Sequence, residues 1–423
     1  MEQHRNWAGN LAYAASNVQY PESVAQLQEL TAGGSTVKAL GTRHSFNDIA
    51  DTEGTHISTQ KLNRVVLLDR ERRRVTVEGG IRYGDLCGYL HDNGFALHNL
   101  ASLPHITVAG AVATATHGSG VRNGNLATAV AGLELVRADG ELVSFSRDDE
   151  TGDFHGAVVG LGALGVVAKL TLDLVPAFDV AQTVYENLPL AALETGFDDV
   201  MSSAYSVSLF TDWKQVGFNQ AWVKRKAGES ADGPSAAERA GATPAASPLH
   251  PVPGFSAENC SAQLGVPGPW HDRLPHFRMA FTPSAGEELQ SEFFVPRTQA
   301  FEALSAVAEL RESIAPLLYV TEVRSVAADR LWLSPSYGQD AVGIHFTWKP
   351  DWEAVRRLLP VIEERLAPFG ARPHWGKLFT MAPERLRPLY AQLPEFRRLA
   401  AACDPEGKFR NAFLQKFIAE SGS

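Results

Sequence analysis

The order of a glycine turn and a strand at residues 160–175 constrains the fold of this chain more than any other feature. GLGALG, residues 160–165, matches the G-x-G-x-x-G fingerprint of dinucleotide-binding βαβ units. That fingerprint needs a strand before it and a helix after it, but the following VVAKLTLDLV alternates apolar and polar side chains as a strand does. The sequence therefore predicts a tight turn between a helix and a strand, close to a ligand, and argues against a nicotinamide-binding sheet.

Other segments of the first half favour an α+β fold with hairpins. VVLLDRERRRVTVEGG is typical of two strands joined by a charged turn, and Asp139-Gly140 predicts a hairpin within ELVRADGELVSF. Helices are predicted in PESVAQLQEL, opened by Pro21, and in YGDLCGYLHDNG, ended by Gly94. The mixture of local hairpins and short helices indicates α+β rather than a repeated βαβ unit.

The second half repeats this alternation after a change of composition. Residues 226–254 are rich in alanine, glycine, serine and proline, so we predict a mobile surface loop or linker there. The segments after it are predicted as the helices AFEALSAVAELRESIA and DWEAVRRLLPVIEERLAPF and the strands LLYVTEVRSV and VGIHFTW. The tail PEFRRLAAACDPEGKFRNAF is predicted as a helix closing on Gly407.

Charge and motif content exclude several classes of function. The 38 basic and 48 acidic residues give a net charge of −10, which disfavours nucleic acid as a partner. The start of the chain lacks the apolar region of a signal peptide, and no apolar run approaches the roughly 18 residues of a membrane span. G-x-S-x-G and H-E-x-x-H are absent, and the three cysteines fit no C-x-x-C spacing. We expect a cytoplasmic protein without a metal site, and a monomer is compatible with the sequence.

Two stretches are unusually poor in bulky side chains. They are GTRHSFN, residues 41–47, and ASLPHITVAGAVATATHGSG, residues 101–120. Small residues allow backbone N–H groups to converge on a ligand, although each stretch alone is better explained by small-residue turns packed beneath a sheet. Together they favour walls for a flat cofactor that carries phosphate.

These motifs resemble those of the vanillyl-alcohol-oxidase type of FAD oxidoreductases, and most nearly the alditol oxidases among them. The resemblance extends to AYSVSLFTDW, GVPGPWHDRLPHFR, TEVRSVAAD, RPHWGKLF and DPEGKFRNAF, and so covers nearly the whole chain. It implies a two-domain flavoprotein with an FAD-binding domain over residues 1–175 and a substrate (cap) domain with a mixed or antiparallel sheet over 176–374. Residues 375–423 would return to the FAD domain.

The resemblance also implies a set of cofactor-binding residues. His44 aligns with the histidine that such oxidases bond covalently to the flavin, and Ala101 would lie beside the flavin face. The other residues implied to line the FAD are Thr42, Arg43, Ser45, Asn47, Ser102, Thr107, Gly110, Thr114, His117, Gly118 and Val167.

Candidate substrate-binding residues come from two strands and one loop of the second domain. Because side chains alternate along a strand, Glu322 and Arg324 share one face of TEVRSV, and His345 shares a face of VGIHFTW with Gly343 and Thr347. Alternation alone favours a half-solvated antiparallel sheet. Lys377 in RPHWGKLF would by itself be a surface lysine on an aromatic-rich strand.

The family resemblance favours catalytic roles for these four residues. Arg324 and Lys377 would polarise the substrate hydroxyl and stabilise negative charge on the reduced flavin. His345, oriented by Glu322, is the candidate proton acceptor, although the sequence leaves open which group takes the proton. Ser102 and Glu322 would bind further hydroxyls of the substrate.

The implied activity is oxidation of the terminal hydroxyl of linear polyols, such as xylitol, sorbitol or glycerol, to the aldose with reduction of O2 to H2O2. The alternatives are a sugar-1,4-lactone oxidase or dehydrogenase of the same superfamily, a flavin- or carbohydrate-binding protein without catalysis, and a nicotinamide dehydrogenase. Turnover on xylitol, turnover on a γ-lactone and a requirement for NAD(P) distinguish them.

Overall fold

The structure is a computed structural model that describes residues 4–149, 152–229, 233–278 and 288–420. Strands and helices are mixed along this part of the chain, and the strands form four sheets. The α+β class predicted from the sequence is confirmed. Among the helices in these ranges, none is long and apolar enough to cross a membrane.

The helices are short and spread over both halves of the chain. The α-helices are α1 (Val24–Gly33), α2 (Tyr83–Asp92), α3 (Val108–Ala113), α4 (Phe154–Val158), α5 (Leu193–Met201), α6 (Ala236–Arg239), α7 (Trp270–Arg273), α8 (Ala300–Ala308), α9 (Arg311–Ile314), α10 (Trp352–Leu366), α11 (Pro383–Leu386), α12 (Leu393–Cys403) and α13 (Ala412–Phe417). Single 3₁₀ turns are Asp48–Ala50, Thr59–Lys61, Leu126–Ala129, Leu190–Ala192, Ala257–Asn259, Arg297–Gln299, Ala367–Phe369 and Arg387–Leu389.

The first half of the chain forms three of the sheets. Its strands are β1 (Asn17–Gln19), β2 (Val37–Leu40), β3 (Thr55–Ser58), β4 (Val65–Asp69), β5 (Arg74–Glu78), β6 (Phe95–Ala96), β7 (Val130–Val136), β8 (Leu142–Ser146), β9 (Val166–Asp173) and β10 (Val175–Pro176). A parallel sheet has the order β1-β3-β2, an antiparallel sheet has the order β4-β5-β9-β7-β8, and β6 pairs with β10. Both predicted hairpins, β4–β5 and β7–β8, are confirmed.

One large antiparallel sheet occupies the second half of the chain. Its strands are β11 (Asp179–Pro189), β12 (Ser206–Thr211), β13 (Gly217–Lys226), β14 (Thr243–Pro244), β15 (Gly268–Pro269), β16 (Leu289–Pro296), β17 (Leu318–Val326), β18 (Ala341–Trp348) and β19 (Arg372–Pro373). The order is β14-β11-β13-β12-β17-β18-β16-β19, and β15 pairs with β11. One face of this sheet shares an apolar core with α5, α8 and α10. That packing leaves the opposite face for the polar side chains described below.

Two large apolar cores lie on different sheets. The first core joins the five-stranded sheet to the C-terminal helices α12 and α13. The second core lies between the large sheet and its helices. The place of α12 and α13 in the first core agrees with a return of the chain to the first domain, and the domain limits at about 175 and 375 remain our proposal.

Three helix limits differ from the sequence prediction. Helix α1 begins at Val24 rather than at Pro21, because the Ser23 side chain accepts a hydrogen bond from the Gln26 N–H and caps the helix. The helix predicted over 300–315 is divided into α8 and α9. Helix α12 ends at Cys403 rather than at Gly407, because the Asp404 carboxylate accepts from the backbone N–H groups that follow and forms a turn.

The segment predicted as a mobile linker contains regular structure. The Ser235 and Glu238 side chains form a reciprocal capping box on α6, and β14 pairs with β11. Ala237 and Ala242 are buried in the second core. The expectation that this segment buries little is therefore wrong for residues 233–254, because alanine is small enough to pack closely. Residues 230–232 lie outside the described residues.

Candidate active site

A cavity of about 510 Å³ lies between the first half of the chain and the polar face of the large sheet. Its walls come from the loop after β2, from α3 and the loop before it, from the turn before β9, and from β16, β17 and β18. The predicted small-residue stretches and the predicted polar strands therefore line one common space.

The loop after β2 offers unpaired backbone donors to this cavity. Arg43 has a left-handed φ of 64°. The backbone N–H groups of Thr42, Arg43, His44 and Ser45 donate no hydrogen bond to any residue in the described ranges. A run of free N–H groups around a left-handed residue forms a concave site for anionic or carbonyl oxygens.

The side chain of His44 lies in the same wall. Its Nδ1 is 3.0 Å from Thr42 Oγ1, and its ring is stacked on Trp7 with a centroid distance of 5.1 Å and an interplanar angle of 16°. Burial lowers the pKa of His44 to about 4. The imidazole is therefore neutral at pH 7. No sequence motif predicted that Trp7 would lie beside His44.

Close packing explains the glycines of this wall. A Cβ on Gly41 would lie 2.7 Å from Thr107 Oγ1, and a Cβ on Gly110 would lie 2.8 Å from the same atom. The loop after β2 and helix α3 therefore approach each other closely around the Thr107 side chain. The resulting slot, lined by small residues and free N–H groups, fits a flat cofactor that carries a diphosphate.

The GLGALG segment forms the predicted turn between α4 and β9. Leu161, Gly162 and Gly165 have φ values of 52°, 65° and 150°. A Cβ on Gly165 would lie 2.4 Å from the Val136 carbonyl oxygen, so this glycine permits a close approach to β7. The turn lines the cavity, as predicted, and a strand rather than a helix follows it.

Most of the predicted cofactor residues line the cavity. They are Thr42, Arg43, His44, Ser45, Ala101, Ser102, Thr107, Gly110, Thr114, His117 and Val167.

Two predicted cofactor residues, Asn47 and Gly118, lie behind the wall. Asn47 Nδ2 donates to the carbonyl oxygens of Trp375 and Lys377, at 2.8 Å each, and so holds the loop that carries Lys377. A Cβ on Gly118 would lie 2.3 Å from the Leu100 carbonyl oxygen. The structure therefore gives both residues a packing role instead of a place in the cavity wall.

Strand pairing places three polar residues in one row across the large sheet. His345 on β18 is paired with Glu322 on β17 on one side and with Glu292 on β16 on the other. All three side chains line the cavity, whereas the intervening Val323 and Ile344 lie in the second core. The predicted alternation is confirmed. The interpretation of these strands as a half-solvated sheet is wrong, because Glu322, Glu292 and His345 are at most 6% exposed.

Glu292 is the centre of this polar cluster and was missed by the sequence analysis. Its Oε1 lies 2.9 Å from Arg324 Nη2 and 3.0 Å from His117 Nε2, and its Oε2 lies 2.6 Å from Lys377 Nζ. Burial by itself would raise the pKa of Glu292, but Lys377, His117 and Arg324 hold it well below the ordinary value. The only sequence signal was one acidic residue within the apolar strand LQSEFFVP.

Lys377 lies in the loop after β19, not on an extended strand, and its side chain is only 14% exposed. Its Nζ donates to Glu292 Oε2 and to His345 Nδ1, both at 2.6 Å. Burial lowers the pKa of Lys377, and the Glu292 carboxylate opposes that shift. The expectation of a surface lysine is therefore wrong.

His345 is a neutral ring between Lys377 and Thr347. Its Nδ1 accepts from Lys377, so the proton lies on Nε2, 3.0 Å from Thr347 Oγ1. Burial, followed by the charge of Lys377, lowers the pKa of His345 to about 4. The predicted orientation of His345 by Glu322 is wrong, because the hydrogen bonds of His345 go to Lys377 and Thr347.

Glu322 is instead held by His276 and Arg324. His276 Nε2 donates to Glu322 Oε1 at 2.7 Å, and Arg324 Nε lies 3.6 Å from Glu322 Oε2. Burial raises the pKa of Glu322, but Arg324 and His276 outweigh it and lower the pKa below its ordinary value. Arg324 Nη1 also lies 3.4 Å from Ser102 Oγ, so the predicted Ser102 contact is close to the same site.

The loop that carries His276 is held by a buried lysine on β13. Lys224 Nζ donates to the carbonyl oxygens of Arg273, Leu274 and Pro275 at 2.8, 2.5 and 3.1 Å. Burial lowers the pKa of Lys224 to about 7. This lysine fixes the three residues that immediately precede His276.

Lys224→Met is expected to lower the free energy of unfolding in urea by about 1–3 kcal/mol, because buried carbonyl groups lose their donor. Lys349→Met removes an exposed lysine that donates to one carbonyl oxygen, and it should stay close to wild type. Equal stability of Lys224→Met and wild type would contradict a structural role for the three bonds.

Part of the predicted linker also reaches the cavity. His250 and Val252 line it, together with Phe255 just after the predicted linker, and the His250 and Phe255 rings stack at a centroid distance of 5.4 Å. Tyr319 on β17 contacts the edge of Phe255. Aromatic side chains therefore border the cavity beside its polar cluster, a feature that composition did not indicate.

Comparison with known proteins defines the class of this protein. Residues 15–146 match a family described as FAD binding domain, and residues 285–417 match one described as D-arabinono-1,4-lactone oxidase. The fold is similar to that of cholesterol oxidase from Brevibacterium sterolicum, with a TM-score of 0.80 and 14% identity over 99% of this chain and 96% of that chain. The fold and the cavity are those of a two-domain FAD-dependent oxidoreductase.

Full-length relatives narrow this class. The chain is 50% identical over 419 residues to alditol oxidase from a Streptomyces species, covering 98% of both chains. It is 30% identical to L-gulono-1,4-lactone dehydrogenase of Mycobacterium tuberculosis and 29% identical to L-gulonolactone oxidase of Mus musculus, again over 98% of both chains. The protein therefore belongs to the alditol oxidase branch of the vanillyl-alcohol-oxidase-type FAD oxidoreductases, in agreement with its sequence motifs.

Proposed function

We propose that this protein oxidises the terminal hydroxyl of a linear polyol, such as xylitol, sorbitol or glycerol, to the aldose. FAD would take two electrons from the substrate, and O2 would receive them to form H2O2. The observation that carries this proposal is the largely buried cluster of Arg324, Lys377, Glu322 and Glu292 in the wall of the cavity. Donors and carboxylate acceptors in one site suit a substrate that presents a hydroxyl on every carbon.

The cations of the cluster can bind the reacting hydroxyl. A lysine ammonium has three N–H donors, and Lys377 uses two of them for Glu292 and His345. We assign the third to the substrate oxygen, with Arg324 as the second positive group. Both charges are already buried and paired, so they can stabilise developing negative charge with little rearrangement.

His345 is the proposed proton acceptor, and the network supports this role. The ring is neutral, and the lone pair of Nδ1 points to Lys377. As the ammonium shifts toward the substrate oxygen, this nitrogen becomes free to accept a proton from the same site. Glu322, held by His276, and Ser102, next to Arg324, would bind the neighbouring hydroxyls of the polyol.

We also propose that FAD is attached covalently through His44. The support is the position of a neutral imidazole in the cavity wall, next to free backbone N–H groups. An unprotonated ring nitrogen is the form that can make a bond to a methyl carbon of the flavin ring; that carbon would lose a C–H bond, the two protons would be released, and the two electrons would pass to the flavin and then to O2. Such a bond would prevent loss of the cofactor, and it would make the flavin a stronger oxidant.

The protein would act in the cytoplasm on small molecules alone. All three cysteines, Cys87, Cys260 and Cys403, are buried and unpaired, which is compatible with a reducing compartment.

Lactone oxidation is the second candidate, because residues 285–417 match a lactone oxidase family. A visible spectrum of the purified protein, recorded without air, distinguishes the candidates. We expect xylitol to bleach the flavin absorption and, in air, to yield one H2O2 per aldose. Bleaching by a γ-lactone alone would favour the lactone enzyme. The absence of bleaching with every polyol and lactone would favour a binding protein, and a requirement for NAD(P) would favour a nicotinamide dehydrogenase.

A further inference from the structure

We propose that Glu292 is a positioning residue of this reaction, whose carboxylate supplies the counter-charge that keeps the Lys377 ammonium and the Arg324 guanidinium side by side on the cavity face. The inference rests on the proposed function, because it assumes that Lys377 acts as a cation toward the substrate. Glu292 itself does not contact the substrate in this proposal. Glu292 acts only through Lys377 and Arg324, the two basic groups that it pairs with.

The first support is the geometry of the carboxylate. Its two oxygens are divided between the two cations, with Oε1 on Arg324 at 2.9 Å and Oε2 on Lys377 at 2.6 Å. The side chain of Glu292 is 0% exposed. A carboxylate that bridges two buried cations determines the distance between them.

The second support is the lack of a substitute. Within the described ranges, Glu292 is the only carboxylate in an ion pair with Lys377, since Glu322 is paired with Arg324 and His276. Two buried cations without an intervening anion repel each other, and burial already favours the neutral amine. Removal of the Glu292 charge should therefore release a proton from Lys377 at lower pH.

The third support is the space kept for this carboxylate. Gly343 lies on β18 between Arg324 on β17 and Phe294 on β16. A Cβ at position 343 would lie 2.9 Å from Glu292 Oε1 and 3.4 Å from His117 Cε1. A side chain here would displace the carboxylate, so glycine at this position is part of the same arrangement.

Several other titratable groups surround Lys377 and must stay unchanged in the test. They are Glu288 next to β16, Glu322 and Arg324 on β17, His345 on β18, His374 on the same loop, and His117 on the loop after α3.

The test is the pH dependence of flavin reduction by xylitol without air, measured in wild type and in Glu292→Gln, which keeps the shape and removes the charge. We expect the alkaline loss of rate to move to lower pH by about one to three units in the variant. Glu292→Asp keeps the charge on a shorter side chain, so its rate should fall while its alkaline limit stays near that of wild type.

Two outcomes would overturn the proposal. The first is a wild-type profile for Glu292→Gln. The second is a rate that is lower at every pH without movement of the alkaline limit, which indicates structural damage alone. Failure of the wild-type enzyme to be reduced by xylitol would instead refute the proposed function.

The matched control is Glu134→Gln. Glu134 Oε2 accepts from Lys169 Nζ at 2.8 Å on the five-stranded sheet, and Glu134 does not line the cavity. The pH profile of the Glu134→Gln variant should therefore equal that of wild type. If Glu292→Gln does not fold, Gly343→Ala tests the same contact with all charges kept. We expect the displaced carboxylate to stabilise the Lys377 ammonium less well, so that the alkaline limit moves to lower pH, and an unchanged alkaline limit for this variant would overturn the proposal.

Discussion

Lys377→Met is expected to lower the rate constant of flavin reduction by xylitol, measured without air in a stopped-flow spectrometer, by about 10²–10³-fold. Methionine keeps much of the volume of the lysine stem but has no N–H to donate to the substrate oxygen. The Glu292 carboxylate would still be paired with Arg324 and His117, so the variant should fold. The loss should therefore appear in the reduction step rather than in the yield of folded flavoprotein.

Lys349→Met is the matched control for this experiment. Lys349 is exposed, and its Nζ donates to the Pro316 carbonyl oxygen on the surface. It should be reduced at the wild-type rate. A wild-type rate for Lys377→Met would remove this residue from the mechanism, whatever its position in the cavity.

His44→Ala is expected to convert a tethered cofactor into a dissociable one. After precipitation in acid, the wild-type pellet should remain yellow, whereas the pellet of the variant should be colourless and its FAD should be found in the supernatant. The reason is that the free N–H groups of residues 42–45 and the walls of the slot remain, but they hold the cofactor only while the protein is folded.

His155→Ala controls for the loss of a histidine elsewhere in the first domain. His155 lies on α4 and does not line the cavity, so its pellet should stay yellow. A yellow pellet from His44→Ala would refute the covalent attachment at His44, and it would leave the other contacts to FAD untouched.

Local patterns in the sequence predicted those parts of the site that lie within one segment. Alternation along TEVRSV and VGIHFTW placed Glu322, Arg324 and His345 on one face, because a strand directs successive side chains to opposite sides whatever its neighbours are. The reversed order at GLGALG likewise excluded a dinucleotide-binding βαβ unit, and the turn was found where it was predicted.

Contacts between distant segments were not predictable in the same way. We expected Glu322 to orient His345, but Lys377 lies at Nδ1 of His345 and His276 is bound to Glu322. A carboxylate and an imidazole on adjacent strands are both close to several partners, and the burial and direction of each side chain decide which bond forms. The expectation for residues 233–254 was wrong because composition shows how much apolar surface a segment has. It does not show whether neighbouring segments pack against that surface.

The sequence by itself determined the class of fold, the small-residue walls of the cofactor slot and the polar faces of β17 and β18. Only the tertiary structure revealed Glu292 as the residue that connects Arg324, Lys377 and His117. One acidic residue in LQSEFFVP has no special meaning until β16 pairs with β18 and a loop about 80 positions later brings Lys377 to it. The physical reason is that backbone geometry sets side-chain direction locally, whereas the pairing of buried charges depends on which strands the whole core brings together.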